Sequence, residues 1–511
     1  ARVRVGSDRG AAAAAAALPV PAALPNCPER LLWLIEEARC LWSIGEQQRA
    51  VDFLRQTLRS SQAEAESGAA AGGGDSSGGA LTRQMQLLVG QWLTSTKSES
   101  SEKIIQRFLE PAGHSAWMSS DRGGGAPRAA VADARVSSEA CYALASYYDR
   151  LYQQQEAHIS SPEWKQWMAA FQAKGKQVAA YKEQLKKAKD KTHRTSADRA
   201  ELKHLNVQVS RSTRALDTMR GFNMGDEQIA DEYLRNTLEW YGRCLRLKSG
   251  QQRDMTIVFR ICALWFKNAK NDATNTSVQA LSKVVPTQKW VRLMYQIVSR
   301  LGGEDSTDGH KQALNALVVR TANDHPHHCV PLLIALRNAN GYAPPKKSRR
   351  QKTAPSSVVI SKGVAHSKIL AATAALRAIS GSSKVLATVC KQWEAYAGAH
   401  IKLAAVAKEL KDKKIKRVQF AQYLDKAAGP FVSEVPVDMV VPTRELAVRA
   451  DCDYTTAPTV VEYDRSIKVT TSGITYPIIV KSRASDGRAH RHIVKADDTR
   501  TDAVMQQAFH N

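Results

Sequence analysis

Aromatic residues make up only 6% of the 511 residues, too few for the ring-rich strands of a typical sandwich or barrel. No two cysteines are spaced as a CxxC pair. The eight, at positions 27, 40, 141, 244, 262, 329, 390 and 452, lie far apart. Neither a zinc module nor the disulfide framework of a small secreted domain is encoded, and the pattern suits a reducing compartment. No apolar run reaches the roughly 18 residues that a membrane-spanning helix needs. Acidic residues are scarce beside basic ones, 49 against 73, for a net charge of +24. That balance permits attraction to nucleic acid or acidic surfaces without establishing either.

Hydrophobic residues at 43% and charged residues at 24% match soluble globular chains and exclude wholesale disorder. The length allows roughly three to five domains or one extended repeat array. Residue 1 is Ala rather than Met, so a piece of a longer protein is expected. Arg2–Arg9, seven alanines and LPVPAALP loosely imitate a leader, but residues 1–28 read better as a low-complexity tail. Glu66–Ala80, Ser119–Val136 and Tyr342–Ser357 are rich in Gly, Ser, Pro or basic residues and read as linkers.

Between the linkers the period is helical. In Glu29–Leu58, Leu31, Leu32, Leu34, Ile35, Ala38, Leu41 and Trp42 recur at three- and four-residue spacing. Gly45 punctuates, and Ala50, Phe53, Leu54 and Leu58 repeat the pattern. Small Ala38 and Ala50 beside a glycine turn predict a close antiparallel hairpin of the tetratricopeptide type, which needs stacked neighbours. Gln84–Leu93 with Glu102–Leu109, Ser137–Leu185, Asp226–Cys244, Asp254–Lys267, Trp290–Leu301, Lys311–Ala322, Cys329–Asn338 and Ile369–Leu410 continue it. The expectation over 29–412 is a mainly α solenoid, followed by a connector at 413–438. From Met439 the period shortens: 440–443, Thr459–Tyr463, Ser466–Thr471, Tyr476–Val480 and His490–Lys495 read as strands, and Thr501–His510 as a helix.

Chemistry concentrates at the end. Lys495 closes a predicted strand and Asp502 opens the next helix. These are the residue types that phosphoryl transfer uses to hold nucleotide phosphates and to orient the cation that does so. By residue type alone, a solvated charge cluster is the better explanation. Other signals have bland readings too. His325, His327 and His328 lack partners at metal-ligand spacing, and Pro326 suits a helix start. Trp33, Trp42, Trp92, Trp164, Trp167, Trp240, Trp265 and Trp290 sit at helical apolar positions and read as core. Glu183 and Lys187 are placed as an i,i+4 pair on a solvated face. Lys346–Lys352 forms a basic loop that suits nuclear import, DNA contact or mere solvation.

The segment VKADDTRTDAVMQQAF is similar to the VKGRDDLRQDAVMQQVF-like segment of the ATM group within the phosphatidylinositol 3-kinase-related kinases. Val440–Thr443 resembles that family's approach to the kinase N-lobe, IKVTTSGITYP (467–477) its phosphate loop and following strand, and Ser485-Asp486-Gly487 its β-hairpin. DMTIVFRICALWFKN, LMYQIVSRL, DHPHHCVPLLIALRNAN and EARCLWSIGEQQRAVDFL resemble its helical FAT region.

The resemblance implies that Lys495 pairs with ATP phosphates, that Asp502 orients it, and that Thr470, Thr471, Ser472 and Gly473 cover the phosphates. Residues 439–511 would then be a truncated N-lobe, and the parent a nuclear serine/threonine kinase using ATP and Mg²⁺. It would modify Ser/Thr-Gln sites in DNA-damage signalling, assemble as a homodimer through its helices, and be recruited by a DNA-end sensor complex. Ala496 and Thr499–Thr501 depart from the family pattern, which keeps open a helical scaffold with a degenerate kinase remnant. No GDRH-like or DFG-like stretch is present, so this chain by itself is expected to transfer no phosphate. Ser61-Gln62, beside the first linker, is the candidate for self-modification, with chance occurrence as its rival.

Overall fold

The computed structural model describes residues 28–66, 76–113, 129–190, 195–247, 251–303, 307–338, 362–412, 429–442, 444–465, 467–469 and 477–495. Two compact units divide near residue 250. The first is helical throughout its described residues. Helices α1 (Pro28–Ser43) and α2 (Gln47–Glu66) form the predicted hairpin, with Gly45 at φ +93 in the turn, where an L side chain would be strained. Ala38 and Ala50 have no exposed surface and let the two backbones close; Leu31, Leu34, Ile35, Val51, Leu54 and Leu58 fill the seam, while Leu32 is 47% exposed. Helix α3 (Ser76–Thr96) stacks Trp92 on Trp42 with ring centroids 4.6 Å apart. Helix α4 (Ser101–Ile104) continues as a π-helical turn over Ile105–Leu109.

Helices α5 (Ala129–Ile159), α6 (Pro162–Lys189) and α7 (Ser196–Arg246) complete this unit. The expected Ser137–Leu185 run is two helices, because Ser161 caps α6 through Trp164 N–H at 3.1 Å and Pro162 takes the first turn. The 51-residue α7 starts far earlier than its apolar period suggests. Thr195 and Asp198 cap it reciprocally: Asp198 N–H donates to Thr195 Oγ1 (3.2 Å) and Thr195 N–H to Asp198 Oδ2 (2.9 Å). Glu183 and Lys187 pair at 2.9 Å on the exposed face of α6, as their spacing predicts.

The second unit runs through α8 (Gln251–Lys267), α9 (Asp272–Val284), two 3₁₀ turns (Thr287–Lys289 and Val291–Leu293), α10 (Met294–Ser299), α11 (Asp308–Asp324), α12 (Pro326–Arg337), α13 (Lys362–Ser382) and α14 (Lys384–Asp412). Trp265 and Trp290 are fully buried here, as core rather than stacking platforms. The continuous helix expected over Ile369–Leu410 breaks at Ser383, whose hydroxyl accepts Leu386 N–H at 3.2 Å.

Four strands follow: β1 (Val460–Tyr463), β2 (Lys468–Val469), β3 (Ile478–Ala484) and β4 (Ala489–Val494). β1 pairs with the C-terminal half of β3 and β2 with its N-terminal end, while β4 lies on β3's other edge, every pairing antiparallel. The sheet is thus three strands wide with β3 central.

Several expectations need correction. Residues 440–442 of the strand expected over 440–443 are no strand (Thr443 lies outside the described residues): Val440 makes one isolated bridge to Thr459, since Pro442 cannot donate to a ladder. Ser76–Ala80 and Ala129–Val136 belong to α3 and α5 rather than to linkers. Ser61 lies inside α2, so Ser61-Gln62 is not the extended linker-edge site expected. The linker at 342–357, the 1–27 tail and the predicted helix at 501–510 lie outside the described residues.

Candidate functional site

Of the predicted site residues, Lys495 is described; Thr470, Thr471, Ser472, Gly473 and Asp502 lie outside the described residues. The described strands fix where the chain leaves β2, enters β3 and leaves β4. Val469 of β2 pairs with Ile478 of β3, and Ile478 pairs in turn with Val494 of β4. Val469, Ile478 and Val494 therefore form one cross-strand row. Both ends of the 470–477 segment and the residue after Val494, which is Lys495, leave the sheet at the same end. At about 4.8 Å between neighbouring strands, the β2 and β4 ends are roughly 10 Å apart.

The opposite end of the β3–β4 ribbon is the Ser485-Asp486-Gly487 hairpin. Gly487 at φ +78 supplies the turn, and Arg444 pairs with Asp486 at 2.6 Å across it.

Alternation fixes the two faces. Ile478, Val480, Ser482 and Ala484 on β3, with His492 and Val494 on β4, are buried. They pack with Val460, Tyr463 and Ile467 against Ala399 and Leu403 of α14 and against Phe431, Val435, Met439 and Val441. Ile493 is 60% exposed on the other face. Carrying the alternation one residue further puts half-buried Lys495 on Ile493's side.

Two polar clusters that sequence reasoning missed hold this sheet and its approach. His325 is completely buried at the start of α12, its Nδ1 2.6 Å from the Tyr454 hydroxyl and its Nε2 3.2 Å from Thr287 Oγ1. Thr287 donates to Asp324 Oδ2 at 2.7 Å, and Arg449 N–H donates to Tyr454 Oη at 3.3 Å. One proton arrangement satisfies all of them: Tyr454 donates to Nδ1 of a neutral His325, whose Nε2–H donates to Thr287. Burial, with the neighbouring His328, lowers the His325 pKa to about 4, which keeps the ring neutral. His328 Nε2 reaches Leu446 O at 2.9 Å. The DHPHH segment thus clamps the 444–458 approach to β1, and Pro326 does open a helix. Among the described residues no group of three His, Cys, Asp or Glu side chains is arranged to hold a metal.

The second cluster joins α14 to β4: His492 Nδ1 lies 3.2 Å from Tyr396 Oη, and its Nε2 lies 2.8 Å from Ser482 Oγ. Burial, with His400 and His490 nearby, lowers the His492 pKa to about 4. Only the spatial partners reveal these roles; in the sequence His492 is one polar residue in an alternating strand.

No family model matches the chain. The serine/threonine-protein kinase ATM of Arabidopsis thaliana is 26% identical over 493 residues, 93% of this chain. The serine-protein kinase ATM of Sus scrofa is 26% identical over 483 residues, again 93%. The chain's homologues are the ATM and Tel1 serine/threonine kinases. It spans only 11% and 14% of the lengths of those two relatives.

Among solved structures, the FAT and kinase domain of CtTel1 matches 94% of this chain and 28% of its own, with TM-score 0.59 and 19% identity. A complete CtTel1 dimer with C2 symmetry matches with TM-score 0.62, 19% identity, and 94% and 15% coverage. The ATM/Tel1 likeness fits the fold described above: helical repeats of the FAT type leading into a small antiparallel sheet.

Proposed function

We propose that the chain contributes the helical clamp and the phosphate-facing sheet of an ATM-like serine/threonine protein kinase. The observation that carries this reading is the Val469–Ile478–Val494 row, which brings Lys495 and both ends of the 470–477 loop to one end of the sheet. A cation beside a loop rich in hydroxyls and backbone N–H groups is the arrangement that anion binding needs.

In this reading Thr470, Thr471, Ser472 and Gly473 cover the ATP phosphates, Lys495 pairs with them, and Asp502 orients Lys495. ATP supplies the phosphoryl group, and Mg²⁺ neutralises its developing charge. The chain carries neither a base-bearing catalytic loop nor a metal-binding Asp of the kinase type, so on its own it transfers no phosphate. The whole protein modifies Ser/Thr-Gln sites in protein substrates in the nuclear DNA-damage response, as a homodimer recruited by a DNA-end sensor complex. The relatives' names support the serine/threonine kinase activity, and the C2 dimer of CtTel1 supports the homodimer.

The test is calorimetric titration of MgATP into the full-length gene product. Lys495→Met is expected to weaken binding by at least tenfold while leaving the thermal midpoint within a few degrees. Unchanged affinity removes the assignment and leaves a helical scaffold.

A further inference from the structure

We infer that Tyr396 and His492 are positioning residues: through them helix α14 sets the placement of Lys495. The inference rests on the reading of Lys495 given above and extends it to the helical region. Lys495 follows directly on Val494, the last residue of β4. Its placement is inherited from β4, and β4 is fixed on two sides. On one edge it is laddered to β3, with Val480 opposite His492 and Ile478 opposite Val494. On its buried face it rests on α14.

The apolar part of that packing (Val494 against the cluster that includes Ala399 and Leu403) resists separation but is tolerant of sliding, because dispersion contacts have little directionality. The polar part is directional. His492, 2% exposed, spends both ring nitrogens at once, Nδ1 toward Tyr396 Oη at 3.2 Å and Nε2 toward Ser482 Oγ at 2.8 Å. A neutral imidazole has one donor and one acceptor, so this fixes the ring between a helix and a strand.

Tyr396 is itself held. The His400 ring lies tilted against it with centroids 4.0 Å apart and places Nδ1 2.8 Å from the Tyr396 carbonyl oxygen. Phe431 meets His400 edge to face, with centroids 5.1 Å apart. Three residue steps along the strand separate His492 from Lys495, about 10 Å of extended backbone. A shift of α14 along its axis therefore moves the Tyr396 hydroxyl, the His492 ring and the strand end together. Misplacement of a reacting or binding group by about 1 Å is enough to lose one to two orders of magnitude in the step that it serves.

The experiment measures MgATP affinity, ATP KM and kcat, and thermal midpoint for the full-length gene product and four variants. Tyr396→Phe keeps the ring and removes only the hydroxyl. It is expected to weaken ATP binding roughly tenfold, with KM rising more than kcat falls. His492→Asn retains a polar atom near the Nδ1 position and should keep affinity close to the unmodified protein. His492→Gln retains one near Nε2, keeps Ser482, loses Tyr396, and should behave like Tyr396→Phe. Lys495→Met is the fourth.

Wild-type ATP affinity in Tyr396→Phe, with Lys495→Met still defective, overturns the positioning role alone. Equal losses in His492→Asn and His492→Gln also overturn it, since they mark a structural residue. Full affinity in Lys495→Met overturns this inference together with the site assignment beneath it.

Discussion

His325 Nδ1 lies 2.6 Å from the hydroxyl of Tyr454, joining residues 129 positions apart in the chain. Tyr454→Phe leaves a buried imidazole nitrogen and the Arg449 N–H without their partner, and is expected to destabilise the second unit by about 1–3 kcal/mol. Because the same imidazole accepts from Tyr454 at Nδ1 and donates its one N–H, at Nε2, to Thr287, the effects of Tyr454→Phe and Thr287→Val should not add. A double-mutant cycle in urea, following the tryptophan signal, reads the coupling; strict additivity contradicts the shared proton arrangement.

Acid should unfold this unit through its imidazoles. His325, His327 and His492 all have pKa values lowered to about 4 in the folded protein, burial being the first cause in each. His328 adds to the effect at His325 and His327, with Asp324 opposing it at His325, while His400 and His490 add to it at His492. The unfolded chain binds protons on these groups near the ordinary histidine value of about 6.5, whereas the folded chain does not. Their linkage therefore leaves stability untouched above that value. It erodes stability as pH falls from about 6.5 toward 4, by up to about 3 kcal/mol for each fully buried ring. Thermal midpoints measured from pH 8 to pH 4.5 should be flat at first and then fall; replacing His492 by Asn should shallow the fall.

Two glycines should respond in opposite directions to alanine. Gly302 has φ +68, and a Cβ there would come within 2.5 Å of the Ser367 carbonyl oxygen, a backbone atom at the start of α13. Gly302→Ala therefore combines strain with a clash and is expected to cost about 2–4 kcal/mol. Gly175 sits inside α6 with nothing within 4 Å of its would-be Cβ. Gly175→Ala should be stabilising by about 0.5–1 kcal/mol, because alanine loses less backbone entropy in a helix. Differential scanning calorimetry distinguishes the two signs.

Legibility followed polarity. The α1–α2 hairpin could be read because its buried positions are apolar or small and its turn needs a glycine. The strands β1, β3 and β4 could be read because short runs with β-branched residues stand between turn residues, although β3 runs four residues past its expected end at Val480. Helix α9 escaped, and the reason is physical. Three of its five buried positions, Thr274, Asn275 and Ser282, are polar. An apolar-period search sees no stripe where hydrogen bonds satisfy the inward side chains. Its Asn271 cap, whose side chain accepts Thr274 N–H at 3.1 Å, was the available signal. Val440–Thr443 misled for the converse reason: β-branched residues suggested a strand that Pro442 cannot sustain. At the site, the family resemblance rather than residue type singled out Lys495, and the pairing that brings it to the same sheet end as residues 469 and 478 is a matter of register, which sequence alone leaves free.

Asn275 shows what such a hidden polar position contributes. Its Oδ1 accepts Trp265 Nε1–H at 2.9 Å and lies 3.2 Å from His310 Nδ1, while its Nδ2 donates to Ala269 O at 3.0 Å. Trp265 is fully buried and has no water to turn to. Asn275→Ala strands those partners and should cost about 2–3 kcal/mol. Asn275→Asp keeps the acceptor but points a carboxylate oxygen at the Ala269 carbonyl in a buried site, so at neutral pH it should be the more damaging of the two. Protonation restores a donor to that side chain. The Asp variant's deficit relative to Ala should therefore shrink as pH falls below the carboxyl's raised pKa, a dependence that Trp265 fluorescence during urea unfolding will follow. A carboxylate variant as stable as the parent at pH 8 would mean that the amide's donor is idle and that the Trp265 contact alone matters.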